Sequence, residues 1–265
     1  MIARHALQVV AFGLLVGSGA LPIAQAAAPA PPPVKPAISE EALGAVSRMS
    51  KALLAQDLSF TAKTIRVYLD ESGQPLHIFH TLKVVVRRPD RLAVQSTGDD
   101  GPHNLFYDGK SVTTFFPDRK QYTATAAGGD IATALGQVQN TLVIDFPLLD
   151  FFTEAPDKSF LSGVTTGWQV GTVKVDGVEC RHLFFSQRGG IDLELWVENS
   201  DAAIPRRLIV TYRLLPGQPE LIAEFSNWDA AVRPSEAGFT FRPPAGATKV
   251  ELSEAPAPVR QGSNR

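Results

Sequence analysis

Residues 76–87, which read LHIFHTLKVVVR, set the pattern on which the fold depends. Every second residue from Leu76 to Val86 falls on one side of an extended chain, and all of that set except His80 are aliphatic. Such alternation is typical of a β-strand with one buried face and one solvated face. The stretch therefore predicts a strand in a sheet that is covered on one side.

The same two-residue period continues on both sides of this stretch, with short turns between the segments. Asp-Gly pairs at 108–109 and 176–177 suit the positive φ angles of tight hairpins. The other predicted strands are 58–69, 91–97, 104–107, 111–116, 121–125, 166–174, 179–186, 191–198, 206–214, 221–229 and 239–242. We therefore expect an α+β fold with a large, curved antiparallel sheet of about ten or eleven strands.

Helices are predicted in two places. Ser39 suits the N-cap of an amphipathic helix that runs to about Gln56, because apolar residues recur there at helical spacing. Between 129 and 162 the strand pattern stops: 131–141 is compatible with a helix, and 146–152 is unusually apolar for a connection. We expect these segments to pack as helices on one side of the sheet.

The amino terminus has the features of a secretory signal. Arg4 supplies the positive charge, the apolar stretch that follows is too short to span a bilayer, and Ala24-Gln25-Ala26 offers a small-x-small cleavage site. The alternative is an uncleaved anchor helix. We expect a signal peptide over 1–26, a Pro/Ala-rich linker over 27–38, one domain over 39–252 and a disordered tail over 253–265. The mature protein is then periplasmic or secreted, and not an integral membrane protein.

Composition excludes several classes of function. The 265 residues are 44% hydrophobic and carry a net charge of −2, which gives no footprint for nucleic acid. A single cysteine, Cys180, excludes an intramolecular disulfide and a multi-cysteine zinc site. Nucleophile elbows, phosphate-binding loops and dinucleotide fingerprints are missing downstream of the signal, and no cofactor is predicted.

The histidines do not predict a metal site. His77 and His80 are three residues apart in a strand, where odd spacing points them to opposite faces. His103 follows the polar residues Asp99 and Asp100 and is expected in a solvated loop.

Cys180 and His182 are the one pair with catalytic potential. They share a strand face, as a thiol nucleophile and its base would, but free cysteine more often packs as a small hydrophobe. Phe184 continues that face and looks like core, and no orienting carboxylate is expected on it. Buried packing is the favoured interpretation, and a Cys/His hydrolase is the least favoured function.

The apolar residues of the strands and of the 146–152 segment either make only a core or enclose an apolar pocket, and both interpretations stay open. Strand parity selects these lining candidates: Leu82, Val84, Phe106, Phe116, Phe184, Leu193, Leu195, Leu208 and Val210. A movable lid over the pocket would contain Phe146, Leu149, Phe151 and Phe152.

Several motifs resemble a known family. The hairpin over 106–122, FYDGKSVTTFFPDRKQY, and the entry Arg88-Pro-Asp-Arg-Leu92 resemble those of periplasmic lipoprotein carriers of the LolA/LolB type. Including 175–182 and 239–246, the match is closer to predicted periplasmic proteins called domain of unknown function 2092. The resemblance implies an open, unclosed β-barrel with helices over its concave face and an apolar cavity that receives acyl chains in the carriers.

Together these features predict a non-enzymatic periplasmic protein that binds or carries a hydrophobic ligand, either a lipid or an acylated polypeptide such as a lipoprotein. The alternative is an envelope sensor or scaffold that binds a protein partner through the same curved sheet.

Overall fold

The computed structural model describes residues 37–142 and 148–251, of which 139–142 are described by their backbone alone. The predicted signal peptide, most of the predicted linker and the predicted tail lie outside these residues. Helix α1 (Glu40–Leu53) comes first, and Ser39 caps it by accepting a hydrogen bond from the amide of Ala42 at 3.3 Å. The predicted cap is thereby confirmed, although the helix ends three residues before Gln56.

Twelve strands in the described residues form a single sheet. The first six are β1 (Asp57–Leu69), β2 (Pro75–Arg87), β3 (Arg91–Gly98), β4 (His103–Tyr107), β5 (Ser111–Phe116) and β6 (Gln121–Ala126). The second six are β7 (Val164–Val175), β8 (Val178–Gln187), β9 (Ile191–Glu198), β10 (Pro205–Tyr212), β11 (Glu220–Asp229) and β12 (Thr248–Lys249).

The sheet is curved, unclosed and almost wholly antiparallel, as predicted. Its order is β12-β6-β5-β4-β3-β2-β1-β11-β10-β9-β8-β7, so each hairpin partner is also a neighbour in the chain. Strands β1 to β6 form one half of the sheet and β7 to β11 form the other. The two halves meet where β11 pairs with β1. Only β12 is parallel to its neighbour, β6.

Short helical segments connect β6 to β7 along the chain. They are α2 (Ile131–Leu142), a 3-10 turn at Leu149–Phe152 and α3 (Pro156–Phe160). The predicted helix at 131–141 is confirmed. We call the sheet face that packs on α1 and these helices the inner face, and the opposite face the outer face.

The predicted strand at 239–242 is wrong. Glu236–Phe239 is a 3-10 turn, and residues 240–247 cross the outer face without pairing to the sheet. Phe239 is fully buried there, and Phe241 contacts the rings of Phe106, Phe115 and Tyr122 at centroid distances of 5.0–5.6 Å. The alternating aromatic residues in this segment therefore reflect packing on top of the sheet and not pairing within it.

Candidate functional site

The inner face and the helices on it form one continuous apolar cluster. Five of the nine predicted lining residues are buried in it: Val84, Leu193, Leu195, Leu208 and Val210. Leu82 is half-buried and packs against the same cluster. In this structure the protein's own helices cover these side chains, so access to them requires the helices to move.

The covering elements are α1, the turn at Leu149–Phe152 and α3, which we call the cover. The buried apolar side chains of α1 are Ala42, Ala45, Val46, Met49 and Leu53. Phe151 contacts Phe225 of β11 at a centroid distance of 5.3 Å, and Phe160 meets Phe185 of β8 edge-on at 5.6 Å. The cover therefore lies on strands from the second half of the sheet.

The predicted lid residues fall within this cover, except for one. Phe151 and Phe152 are buried, and Leu149 is half-buried against the cluster. Phe146 lies outside the described residues. Their role as a lid stays a prediction.

Arg88 joins the cover to the sheet. Its guanidinium donates to the carbonyl of Leu53 at 2.9 and 3.2 Å and to the carbonyls of Phe151, Phe152 and Thr153 at 2.8–3.1 Å. One side chain thus binds the end of α1 and the 149–152 turn to the β2–β3 corner. Burial lowers the pKa of Arg88, and only the charge of Asp130 opposes this effect.

Sequence reasoning read Arg88 only as part of a turn motif. Its position directly before Pro89 shows that it sits at a corner, but nothing local indicates that its partners lie 35 and 63–65 residues away. The one indication in the sequence is the Arg88-Pro89 corner, because an arginine held at a fixed corner can donate to several carbonyls at once.

A second polar link joins two parts of the cover. The Ser50 hydroxyl of α1 donates to the Asp157 carboxylate at 3.2 Å and accepts from the Asp157 amide at 3.2 Å. Asp150 accepts a hydrogen bond from the Ser159 hydroxyl, while burial raises the pKa of Asp150. These bonds make the cover one connected unit.

Phe106 and Phe184 do not face the cover. Phe106 lies on the outer face against Phe241, and Phe184 lies on the outer face against Trp168 at 4.7 Å. Their neighbours Leu105 and Leu183 take the inner positions. Parity cannot tell which face is the core when apolar residues stand on both, so the inward direction predicted for these two residues is wrong. Phe116 shares the parity of inward-facing Val112 and is half-buried.

Cys180 and His182 lie on the outer face. Cys180 packs in a small cluster with Val175 and Trp196. The Cys180 thiol is fully buried and donates to the carbonyl of Val178 at 3.5 Å. Burial raises the pKa of this thiol, and the Glu198 carboxylate adds to the effect. The predicted burial is therefore confirmed, and the thiolate that a nucleophile needs is disfavoured.

The expectation that no carboxylate accompanies His182 is wrong. Its Nε2 lies 2.7 Å from the Glu194 carboxylate, and its ring stacks on Trp196 at 4.1 Å. The register of β8 with β9 sets His182 opposite Trp196 and brings Glu194 to the diagonal position. The contact between His182 and Glu194 depends on the register between β8 and β9, which could not be predicted from the sequence.

The prediction that His103 lies in a solvated loop is wrong, because His103 is the first residue of β4. It is half-buried, and its ring meets that of His80 at 5.7 Å. Burial lowers the pKa of His103. The Nε2 of His80 in turn lies 2.7 Å from the Asp100 carboxylate.

Two grooves open on the outer face. One of about 470 Å³ runs over β11, β1, β2 and β3, and is lined by Lys63, Ile65, Phe79, Thr81, Thr97 and Glu224 among others. The other, of about 370 Å³, lies beside the 234–239 segment, against Val85, Ala93 and Phe106. Of the nine predicted lining residues, only Phe106 borders one of these grooves.

Two further properties concern only residues 37–142 and 148–251. No helix among them is both long and apolar enough to cross a membrane. No group of three or more His, Cys, Asp or Glu side chains in this part of the chain is placed to hold a metal ion.

The chain has recognisable relatives. A family model described as predicted periplasmic protein (DUF2092) matches residues 40–253. No curated protein matches the chain in sequence.

Several solved structures are similar to the chain. An uncharacterized conserved protein from Thermus thermophilus is 12% identical, with 80% of this chain and 99% of that one covered and a TM-score of 0.49. The lipoprotein LppX of Mycobacterium tuberculosis is 17% identical, with 74% and 99% covered and a TM-score of 0.44. A LolA superfamily protein from Nitrosomonas europaea is 12% identical, with 76% and 97% covered and a TM-score of 0.34.

Proposed function

The chain belongs to the DUF2092 family of predicted periplasmic proteins, and on that premise we propose that it binds or carries a hydrophobic ligand, a lipid or the acyl chain of a lipoprotein, without catalysing a reaction. The ligand lies on the inner face, against Leu82, Val84, Leu193, Leu195, Leu208 and Val210. The cover opens to admit it and closes over it.

One observation carries this proposal: the apolar inner face is covered by separate short helices and not by a second sheet. The cover touches the strands through side chains such as Phe151 and Phe160, and Arg88 supplies most of its polar contacts. Main-chain bonds to the sheet are confined to the start of α1, where the Ser39 amide donates to the Gly167 carbonyl at 2.9 Å. An element held by side-chain contacts separates more easily than a strand held by a ladder of main-chain hydrogen bonds. The cover is therefore the part of the molecule best suited to open.

Apolar contact supplies the driving force for uptake. When the cover opens, the inner-face side chains lose their contacts with α1 and the phenylalanines. An acyl chain replaces those contacts, and each buried methylene contributes about 0.8 kcal/mol. A ligand of sufficient length therefore offsets the cost of opening, whereas a short one does not.

The test is ligand content. Protein exported to the periplasm and purified without detergent is measured by native mass spectrometry and then titrated with a fluorescent fatty acid. We expect a bound hydrophobic mass or saturable uptake, with faster uptake by Arg88→Lys than by the outer-face control Arg207→Lys. A ligand-free mass together with no uptake by either the native protein or Arg88→Lys would contradict the proposal.

A protein partner is the second candidate, because the outer face carries exposed aromatic surface. Trp168 on edge strand β7 is 47% exposed and contacts Phe184, Val173 on the same strand is 42% exposed, and Phe79 in the larger groove is 51% exposed. Crosslinking in the periplasm from position 168 or 79 tests this candidate. A specific partner lost on Trp168→Ser or Phe79→Ser, with lipid uptake unchanged, would favour the scaffold function.

The burial and raised pKa of Cys180 support the non-catalytic assignment. A hydrolase that used this thiol would need it accessible and ionised beside His182. An enzymatic activity abolished by Cys180→Ala in a protein that keeps its melting temperature would overturn the assignment.

A further inference from the structure

The inner face changes from apolar to polar along strands β1 to β4. Cross-strand pairing defines successive rows on this face. The row nearest Arg88 is Leu58, Val86, Leu92 and Tyr107, and the next is Phe60, Val84, Val94 and Leu105. The third row is Ala62, Leu82, Ser96 and His103, and the fourth begins with Thr64 and His80. The polar rows thus start about 13 Å from the first row, since a strand rises about 3.3 Å per residue.

Ser96 marks the start of this polar end. Its side chain is 1% exposed, and its hydroxyl has no hydrogen-bond partner in the described residues. A buried hydroxyl without a partner is uncommon and costs free energy. Its neighbours in the row are Leu82 on one side and His103 on the other, so it faces the same space as the proposed ligand.

Two imidazoles lie beside this hydroxyl. His103 is paired with Ser96 across the strands, and its ring meets that of His80. Gly98 leaves room for the His80 ring, because a Cβ at that position would overlap it. His80 is occupied by Asp100 at 2.7 Å. Burial lowers the pKa of His103 and favours its neutral form, while a hydrogen bond to the Gly101 main chain occupies one ring nitrogen and leaves the other as an acceptor.

The loop at this end carries acidic side chains, and the cation in the adjoining row of the inner face is Arg66, one row beyond Thr64 and His80. The loop between β3 and β4 carries Asp99 and Asp100, and only His80 pairs with the second of them among the contacts described. Asp100 also adds to burial in raising the pKa of Tyr68 on the same face. A neutral group with hydroxyl or ester oxygens meets no repulsion from these carboxylates. Its oxygens can accept from the Ser96 hydroxyl, and a hydroxyl can also donate to the remaining nitrogen of His103.

We propose that Ser96 and His103 form a headgroup site for a neutral amphiphile whose acyl chain lies along the apolar rows toward Arg88. The ligand class is a lipid with an uncharged, hydroxyl- or ester-bearing headgroup, of which a monoacylglycerol is the simplest example. This inference rests on the proposed function, and it adds the orientation of the ligand and the chemistry of its polar end.

The experiment compares two lipids that share one acyl chain, glycerol monooleate and oleate, in competition for a fluorescent acyl probe on the full mature chain. We expect the native protein to bind glycerol monooleate about tenfold more tightly than oleate. Ser96→Ala weakens glycerol monooleate about fivefold, the effect of one hydrogen bond, and changes oleate less than twofold. His103→Phe, which keeps a ring but removes both nitrogens, gives the same selective loss.

Stability provides an independent readout. Because the Ser96 hydroxyl lacks a partner in the unliganded protein, Ser96→Ala raises the melting temperature, by about 2 °C. The matched control is Thr97→Ala, an exposed neighbour in the same strand, which leaves both affinities and the melting temperature unchanged. A serine kept only for structure gives the opposite sign, a lower melting temperature on replacement.

The outcomes separate the two proposals. Equal or tighter binding of oleate, or an unchanged affinity of Ser96→Ala for glycerol monooleate, overturns the headgroup site and leaves the carrier function intact. A lowered melting temperature or a failure of Ser96→Ala to fold also overturns it. If the native protein binds neither lipid nor the probe, the proposed function falls and the headgroup site falls with it.

Discussion

The guanidinium of Arg88 is half-buried and donates to four main-chain carbonyls, two of them in the turn that carries Phe151 and Phe152 and one in Thr153 directly after it. A planar group with five donors suits this arrangement, whereas a lysine ammonium reaches fewer acceptors at once. The residue therefore decides how firmly the cover is held to the β2–β3 corner.

We expect Arg88→Met to lower the free energy of unfolding by about 2–4 kcal/mol, because charged hydrogen bonds are lost and buried carbonyls lose their donor. Urea unfolding measures this change. Amides at 148–160 should also exchange faster than those of β1 and β2. Arg207→Met is the control: its exposed pair with Glu224 should contribute less than about 1 kcal/mol. Equal losses in the two variants would show that Arg88 has no special role.

Cys180 provides a second test at the level of a single residue. Because the thiol is buried and its pKa is raised, we expect the native protein to react with a thiol reagent at least about 100-fold more slowly than the unfolded chain. Labelling followed by absorbance measures the rate, and Cys180→Ala identifies the background. Rapid labelling of the native protein would revive the hydrolase interpretation.

At the level of elements, the 230–247 segment is held to the outer face by charge as well as by Phe239 and Phe241. Glu236 accepts from Arg87 at 2.7 Å and from Arg91 at 3.2 Å, and Arg87 also lies over the ring of Phe239. The hydrogen bonds from Arg87 and then Arg91 lower the pKa of Glu236 from its usual 4.5.

The lowered pKa fixes the sign of a pH effect. The ion pairs with Glu236 stabilise the fold above pH 4.5, and the contribution is lost as the pH falls through the folded-state pKa. We therefore expect the stability difference between the native protein and Glu236→Gln to shrink from about pH 5 to about pH 3. Urea unfolding across this range checks it. A difference that is constant with pH would mean that the carboxylate charge contributes nothing.

Elements with a local signature were predictable. The strand at 76–87, the capped helix after Ser39 and the helix at 131–141 each carry their period in adjacent residues, and local sterics and burial are enough to produce them. The prediction of a strand at 239–242 was wrong because the alternating aromatic side chains of this segment pack on the outer face of the sheet. The two-residue β12 carries too little pattern to be detected, since its place depends on the free edge of β6.

At the level of the whole molecule, the sequence predicts that residues 27–38 and those after about 252 add no packing, but Ile38 bridges Gly167 and packs against the apolar cluster. A chain of residues 37–251 keeps the bridge between Ile38 and Gly167. We expect its melting temperature to lie within about 2 °C of that of a chain that starts at Ala27. Calorimetry of the two chains tests the domain boundaries, and a larger drop would show that the flanking residues contribute to the fold.

The amino-acid sequence by itself determined the α+β class, the exported character, the period of most strands and the burial of Cys180, because each depends on residues close together in the chain. Only the tertiary structure decided which face of each strand is covered, as Phe106 and Phe184 show. It also decided which distant groups meet: Arg88 with the 149–152 turn, Glu194 with His182, and Ser96 with His103. The physical reason is that a two-residue period divides the side chains of a strand between two faces, whereas strand pairing and helix packing determine which of the two faces is buried.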